Sequence, residues 1–264
     1  MASLETLRSA SRAVLLGLAA LLLTAPLGHA KGYRLALVIG NGDYQIGRLK
    51  NAESDAKLLA RTLRRLGFRV TLKLNADRAH LAAALEVFKQ KILHRGPETT
   101  GLVYYAGHGI QVKGTNYLIP IKAKIRSLSD IRSEAVRVDK ILNHLANAHN
   151  RINFVILDAC RSNPFAGAAE AESFGLAEMS APNGTLIAYA TFPGGLATDG
   201  KGDNSPYAKA LTDAMKQQGV PAETMFRQVR IKVMHATAGY QVPWEQTSLT
   251  RGFYFTPEKV IIDQ

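Results

Sequence analysis

Cysteine is nearly absent from this chain: its 264 residues contain a single one, Cys160. One thiol cannot close an internal disulfide, so a packed core and not a covalent framework must hold the fold. Carboxylates are scarce beside cations, 21 against 33, leaving a formal charge of +12. Such a charge can mark a nucleic-acid or anionic-membrane partner. Here Lys and Arg are scattered, and no aromatics are interleaved with the densest group, Arg61, Arg64, Arg65 and Arg69. They read better as a solvated helix face, and no nucleic-acid partner is expected. Internal repeats and a second domain are also lacking, while a hydrophobic content of 47% is enough for one sizeable core.

The apolar run from Ala13 to Leu23 falls short of the roughly 20 residues a membrane helix needs. Arg8 and Arg12 precede it, and Gly28-His29-Ala30 follows with small residues where a signal peptidase reads. Residues 1–30 therefore read as a signal peptide, the alternative being an uncleaved anchor. The expectation is an exported, periplasmic or secreted protein with a domain over 31–264 and no stable membrane span after cleavage. In an oxidising compartment a lone thiol needs a reason.

From Arg34 onward the chain alternates between strand and helix signals. Leu35 to Ile39 is a short aliphatic run ending in Gly40-Asn41-Gly42, which predicts a buried strand. Ala56, Leu59, Leu63 and Leu66 share a helical face over about Ser54 to Leu66, with Gly67 as the stop. Strands are expected at Phe68–Leu74, Gly101–Tyr105, Ile152–Leu157 and Thr185–Ala190, and Phe253–Phe255 could close the sheet. Helices are expected through Leu81–Ile92, Val138–Leu145, Tyr207–Gln217 and Ala222–Ala236. A hairpin is expected from Ile110 to Ile119 around Lys113-Gly114, then a polar connection. Ser162 to Asn183, rich in Ala, Gly and Glu, reads as a mobile loop. The pattern predicts an α/β fold with a mostly parallel sheet covered on both faces.

In such a sheet, ligands bind beyond the carboxyl ends of the strands, and His108 and Cys160 each follow one. If those strands are neighbours, imidazole and thiol come within reach of each other. Cysteine attacks as thiolate, and a nearby His can take its proton and later protonate a leaving amine. Gly109 lets a backbone N–H approach a substrate closely, and the Cys160 N–H could be a second donor to an oxyanion. Taken singly, each residue has a plainer reading, a small buried hydrophobe or a turn histidine. Together they describe acyl transfer at an amide.

His108-Gly109 followed some fifty residues later by Ala159-Cys160 resembles the signature of the caspase-fold cysteine peptidases. The wider runs Tyr104-Tyr105-Ala106-Gly107-His108-Gly109 and Leu157-Asp158-Ala159-Cys160-Arg161-Ser162-Asn163-Pro164-Phe165 are similar to the prokaryotic metacaspase-like, or orthocaspase, branch. The similarity extends from about Tyr33 to Phe255 and takes in Asn204-Ser205-Pro206-Tyr207 and Gln241-Val242-Pro243-Trp244-Glu245. This resemblance implies a caspase-like three-layer sandwich, His108 as general base and acid, Cys160 as nucleophile, and Gly109 with Cys160 as oxyanion donors. It also implies that Asp158 and the Asp55 of Ser54-Asp55-Ala56 form the substrate pocket. Two carboxylates favour a cationic side chain, so cleavage after Arg or Lys is expected. Asp55 could instead be an acid favoured by the helix dipole.

Ala106 departs from the serine many metacaspases carry there. The family's calcium activation is a possibility only, since Asp199 and Asp203 fall short of the oxygens calcium takes, and no cofactor is required. Zinc is not expected at His144 and His149, which lie off a common helical face. Self-cleavage at Arg161 or Lys201 is conceivable. Tyr240 and Trp244 read either as pocket aromatics or as core. The competing function is a catalytically weak or inactive binding or regulatory module on the same fold.

Overall fold

The computed structural model describes residues 32–159 and 175–258. Cys160, Arg161, the proposed signal and most of the Ser162–Asn183 stretch lie outside the described residues.

Aliphatic and β-branched runs too short for helices form the central strands. They are β1 (Arg34–Gly40), β2 (Arg69–Leu74), β3 (Thr100–Gly107), β7 (Ile152–Ala159) and β8 (Thr185–Tyr189), with β9 (Trp244–Thr247) at one edge. The order is β2-β1-β3-β7-β8-β9; all neighbours are parallel except β9, which runs antiparallel to β8. A smaller sheet joins the hairpin β4 (Gly109–Val112) and β5 (Thr115–Leu118) to the two-residue β6 (Val136–Arg137).

Strand alternation sorts the core into two layers. Ala36, Val38, Leu102, Tyr104, Phe154 and Ile156 face α1 (Ala52–Arg65), α5 (Pro206–Met215) and α6 (Ala222–Ala236). Leu37, Ile39, Val103, Tyr105, Val155 and Leu157 face α2 (Arg78–Arg95) and α4 (Val138–Ala146). The result is the expected three-layer α/β sandwich. Gly67, at φ +83°, lets the chain leave α1 in the left-handed region, as a C-terminal stop requires.

Three expectations need correction. Phe253–Phe255 does not close the sheet: β9 does, while Phe253 and Phe255 pack on Phe154 with ring centroids 5.0 and 5.2 Å away. Aromatic bulk, not a ladder, is what that segment supplies. The polar connection after the hairpin contains a helix, α3 (Leu128–Glu134), whose Ser127 and Asp130 form a capping box. The described end of the supposed mobile loop is held in place. Leu176 is buried, Ala177 exchanges two 2.7 Å hydrogen bonds with the Asn116 side chain, and the Met179 N–H donates to Tyr189.

The two ends of the described domain meet at Arg34. Its guanidinium donates to the carbonyls of Leu66, Tyr254 and Phe255 and lies over the rings of Phe68 and Phe253.

Candidate active site

Parallel pairing of β3 with β7 sets Ala106 opposite Asp158 and Gly107 opposite Ala159. His108 follows Gly107 directly, between β3 and β4, and is only 2% exposed. The loop after β1 builds its surroundings. Tyr44 tilts its ring against the imidazole at 4.5 Å between centroids, and its hydroxyl accepts from the His108 N–H at 3.1 Å. The same hydroxyl donates to the Ile119 carbonyl at 2.8 Å, and Tyr105 donates to that carbonyl at 2.7 Å. A Cβ on Gly107 would stand 2.6 Å from the Tyr105 hydroxyl and 2.8 Å from that of Tyr44, so only glycine fits there.

Gly47 supplies the carbonyl that lies 2.6 Å from His108 Nε2. A carbonyl only accepts, so Nε2 carries the proton and Nδ1 is the basic nitrogen of the neutral ring. The orienting group that the sequence left unnamed is thus a backbone oxygen. Gly109 begins β4, where a Cβ would come within 2.9 Å of Ala159 Cβ. The Ile119 N–H donates to the His108 carbonyl at 2.9 Å, so residue 108 faces residue 119 through a single backbone bond. Antiparallel alternation then turns the next N–H, that of Gly109, away from β5.

A second cluster lies on the α1 and α5 side of the same strand ends. Asp55, in the first turns of α1, and Asp158, near the end of β7, are both fully buried. Asp158 Oδ2 accepts from the Tyr104 hydroxyl at 3.0 Å and from Ser205 Oγ at 3.2 Å. Asp55 Oδ1 accepts from Asn204 Nδ2 and the Ser205 N–H, both at 2.9 Å. Ser205 can do this because it caps α5: its backbone is not yet helical, and its Oγ accepts from the Ala208 N–H. The other Asp55 oxygen, Oδ2, is buried without a hydrogen-bond partner. Burial, and after it the charge of Asp158, raises the Asp55 carboxyl to about 7. Burial also pushes the Tyr207 phenol up, with Asp158 and Glu245 adding to it, and its hydroxyl has no hydrogen-bond partner.

The structure thus brings Asp55 and Asp158 together, and Asp55, which is an acid in the first turn of α1, is also bound to the start of α5. Tyr44, Gly47, Tyr104, Asn204 and Ser205 complete the surroundings. For Ser205 the signal was the Ser-Pro pair that opens a helix; for Tyr44 and Gly47, on a loop without periodicity, there was none. Asp199 and Asp203 sit on a loop clamped to α1. Asn51 Nδ2 donates to the carbonyls of Asp199 and Gly202 at 2.6 and 2.9 Å, and Ser54 Oγ donates to that of Asp203. Tyr240 and Trp244 are 61% and 39% exposed and so are not core. In that stretch Gln241 and Pro243 are buried, and Gln241 donates to the Ala190 carbonyl and accepts from the Thr198 N–H. Among the described residues, no three His, Cys, Asp or Glu side chains converge as a metal site would require, and no helix is long and apolar enough to cross a membrane.

A family profile described as the caspase domain matches residues 33–254. The chain belongs to the caspase-domain family. Its members are caspase-fold cysteine peptidases, and the solved structures agree on the fold. The crystal structure of the Drosophila initiator caspase Dronc superposes with a TM-score of 0.60 at 15% identity, covering 84% of this chain and 82% of that one. Among curated proteins, human mucosa-associated lymphoid tissue lymphoma translocation protein 1 is 32% identical over 130 residues, and its mouse homologue is equally similar. That stretch is 48% of this chain and only 15% of either relative.

Proposed function

We propose that this caspase-domain protein is a cysteine endopeptidase that uses His108 and Cys160 and cleaves after Arg or Lys. The observation that carries the reading is the β3–β7 register, in which Gly107 and Ala159 are partners and the next residues in sequence are His108 and Cys160. The Gly47 contact supports it by holding the imidazole in the tautomer whose Nδ1 can accept a thiol proton. In the reaction, Nδ1 takes that proton and the thiolate attacks the scissile carbonyl. The N–H groups of Gly109 and Cys160 bind the oxyanion, and the imidazolium returns its proton to the departing amine. Water, deprotonated by the same nitrogen, then hydrolyses the thioester and restores the thiol.

The preference for a basic residue is supported by the Asp55–Asp158 pair. Two buried acids, one with an oxygen that lacks a hydrogen-bond partner, form a site that a guanidinium or ammonium would complete. Placement in the orthocaspase branch, removal of residues 1–30 on export to the periplasm or medium, and calcium activation belong to the same reading.

Fluorogenic peptides ending in Arg, Lys or Asp, offered to the protein in reducing buffer with and without calcium, test it. Turnover of the Arg and Lys peptides that disappears in Cys160→Ala is the expected result, and the mass of the exported product would begin at Lys31. Peptide binding that survives Cys160→Ala, with no turnover by either protein, would assign the chain to the non-catalytic module.

A further inference from the structure

Far from His108, the β2 edge of the sheet carries an open groove. β2 pairs only with β1, and among the described residues nothing pairs with its other side. Its Val70, Leu72 and Leu74 pack toward the α1 layer, so Arg69, Thr71 and Lys73 face the α2 side. The apolar face of α2, Leu81, Leu85, Phe88 and Ile92, packs with Leu35, Leu37 and Ile39 of β1. The space between α2 and β2 is a cavity of about 580 Å³ whose apolar floor is Leu35, Val87 and Phe88. A second cavity of about 290 Å³ shares Thr71, Val87, Phe88 and Lys91 with it and continues toward Lys73 and His80. Val87, at 52% exposed, is an apolar side chain left to solvent in this groove.

The rim is cationic and held in place. The guanidiniums of Arg95 and Arg69 both lie over the Tyr33 ring, 4.4 and 5.3 Å from its centroid, at one end of the groove. Among the described residues neither has a carboxylate partner. Lys91 stands midway, 3.4 Å from the Thr71 hydroxyl. The acid of the rim, Glu86, is engaged with Lys89 and Gln90. The last turn of α1 adds exposed Arg64 and Arg65 at the same end of β2, on the opposite face.

From these features we infer that the groove docks an extended acidic segment of a partner protein, which adds to β2 as a further strand. A free strand edge offers backbone N–H and C=O groups at alternate residues, which an extended chain satisfies. An added strand directs alternate side chains to each face. Those on the α2 side meet Val87 and then Lys91, Arg69 and Arg95; those on the other face meet Arg64 and Arg65. Carboxylates at the Arg end, with apolar side chains toward Val87, match this surface. A nucleic acid would match the charge but would leave both the strand edge and the apolar floor unsatisfied.

Fluorescence anisotropy with the full chain tests this, using a labelled extended peptide with Val residues toward one end and Glu residues toward the other, long enough to pair with the six residues of β2. Binding should weaken as salt rises and fall by roughly tenfold or more in Arg69→Glu/Arg95→Glu. A peptide of the same sequence and charge, methylated at alternate backbone nitrogens, should lose a comparable factor on the unaltered protein, an arm that needs no variant to fold. Equal binding of the methylated peptide would overturn strand addition, and unchanged binding by the charge-reversed protein would overturn the cationic rim. Tighter binding of a single-stranded oligonucleotide through the same arginines would reassign the groove to nucleic acid. Self-association that the double variant abolishes would reassign it to a second copy of the chain. Hydrolysis of small Arg peptides should be unaltered in the double variant.

Discussion

The histidine cradle and the carboxylate pair lie at the ends of the same strands but are built in opposite ways. Around His108 the partners among the described residues include a carbonyl and two phenols, all neutral, with glycines that allow them close. Each hydrogen bond there fixes a ring or a tautomer without burying a second charge. Around Asp55 two acids are buried together, and hydroxyl, amide and backbone donors offset only part of the cost. A neutral cradle adds to the stability of the free protein. An acid pair detracts from it, and its retention makes sense where a cation arrives to complete it.

Substitutions can break this contrast at several levels. The largest effect is expected at the cradle: His108→Ala should lower kcat on Arg peptides by about 10²–10⁴-fold, measured under saturating substrate. Asp158→Asn should raise KM for an Arg peptide by roughly 10–100-fold, the worth of one hydrogen bond to a charged group, with a smaller change in kcat. Equal loss in kcat and kcat/KM would instead mean that the acid acts on the reacting atoms.

The pH dependence separates the two clusters further. The Asp55 carboxyl sits at about 7 in the folded protein against 3.8 for the ordinary side chain. Between those values the folded state holds a proton that the unfolded chain has released, so its contribution to stability is full below about pH 4 and is lost as pH rises to 7. Melting temperature should therefore fall across that window. Asp55→Asn should flatten the slope and raise the melting temperature at pH 8 while lowering kcat/KM for basic peptides. A variant that loses stability at pH 8 would show that the pair is a structural asset.

Smaller effects are expected among the cradle's supports. Gly109→Ala forces a Cβ to 2.9 Å from Ala159 Cβ and should destabilise by about 1–3 kcal/mol in urea unfolding. Tyr44→Phe removes the hydroxyl between the His108 N–H and the Ile119 carbonyl and should cost about 1–2 kcal/mol, with a modest fall in kcat.

Much of this architecture was legible because the strands that carry it are short aliphatic runs and the helices have one apolar face. The helix Ala222–Ala236 is legible to the residue, and the strands that precede His108 and Cys160, whose adjacency the sequence leaves as a condition, are neighbours. The errors have physical origins. Trp244–Thr247 is an edge strand with two charged or amide side chains among its four residues, while Phe253–Phe255 has the composition of a strand but spends its aromatics on a core cluster. Helix α3 depends on its capping box and buries only Ile131, so an apolar period could not reveal it. Tyr44 and Gly47 act from a loop, where position comes from tertiary contacts and not from any repeat in the sequence. Asp55 was legible as a partner of Asp158 through resemblance alone; its bond to the start of α5 depends on residues about 150 positions away.

The Arg34 clasp has a bearing on the order in which the chain can fold. The first residue of β1 is satisfied by a carbonyl 221 positions downstream. A loop of that size must close before the bond can form, and on a ribosome this happens only after Phe255 has been made. Until then Arg34 and Phe154 lack the rings that Phe253 and Phe255 bring, and the nascent chain has an incomplete interior. The described domain is therefore latched by the segment around Tyr254 and Phe255, and ending the chain before Tyr254 would release Arg34 from both carbonyls at once.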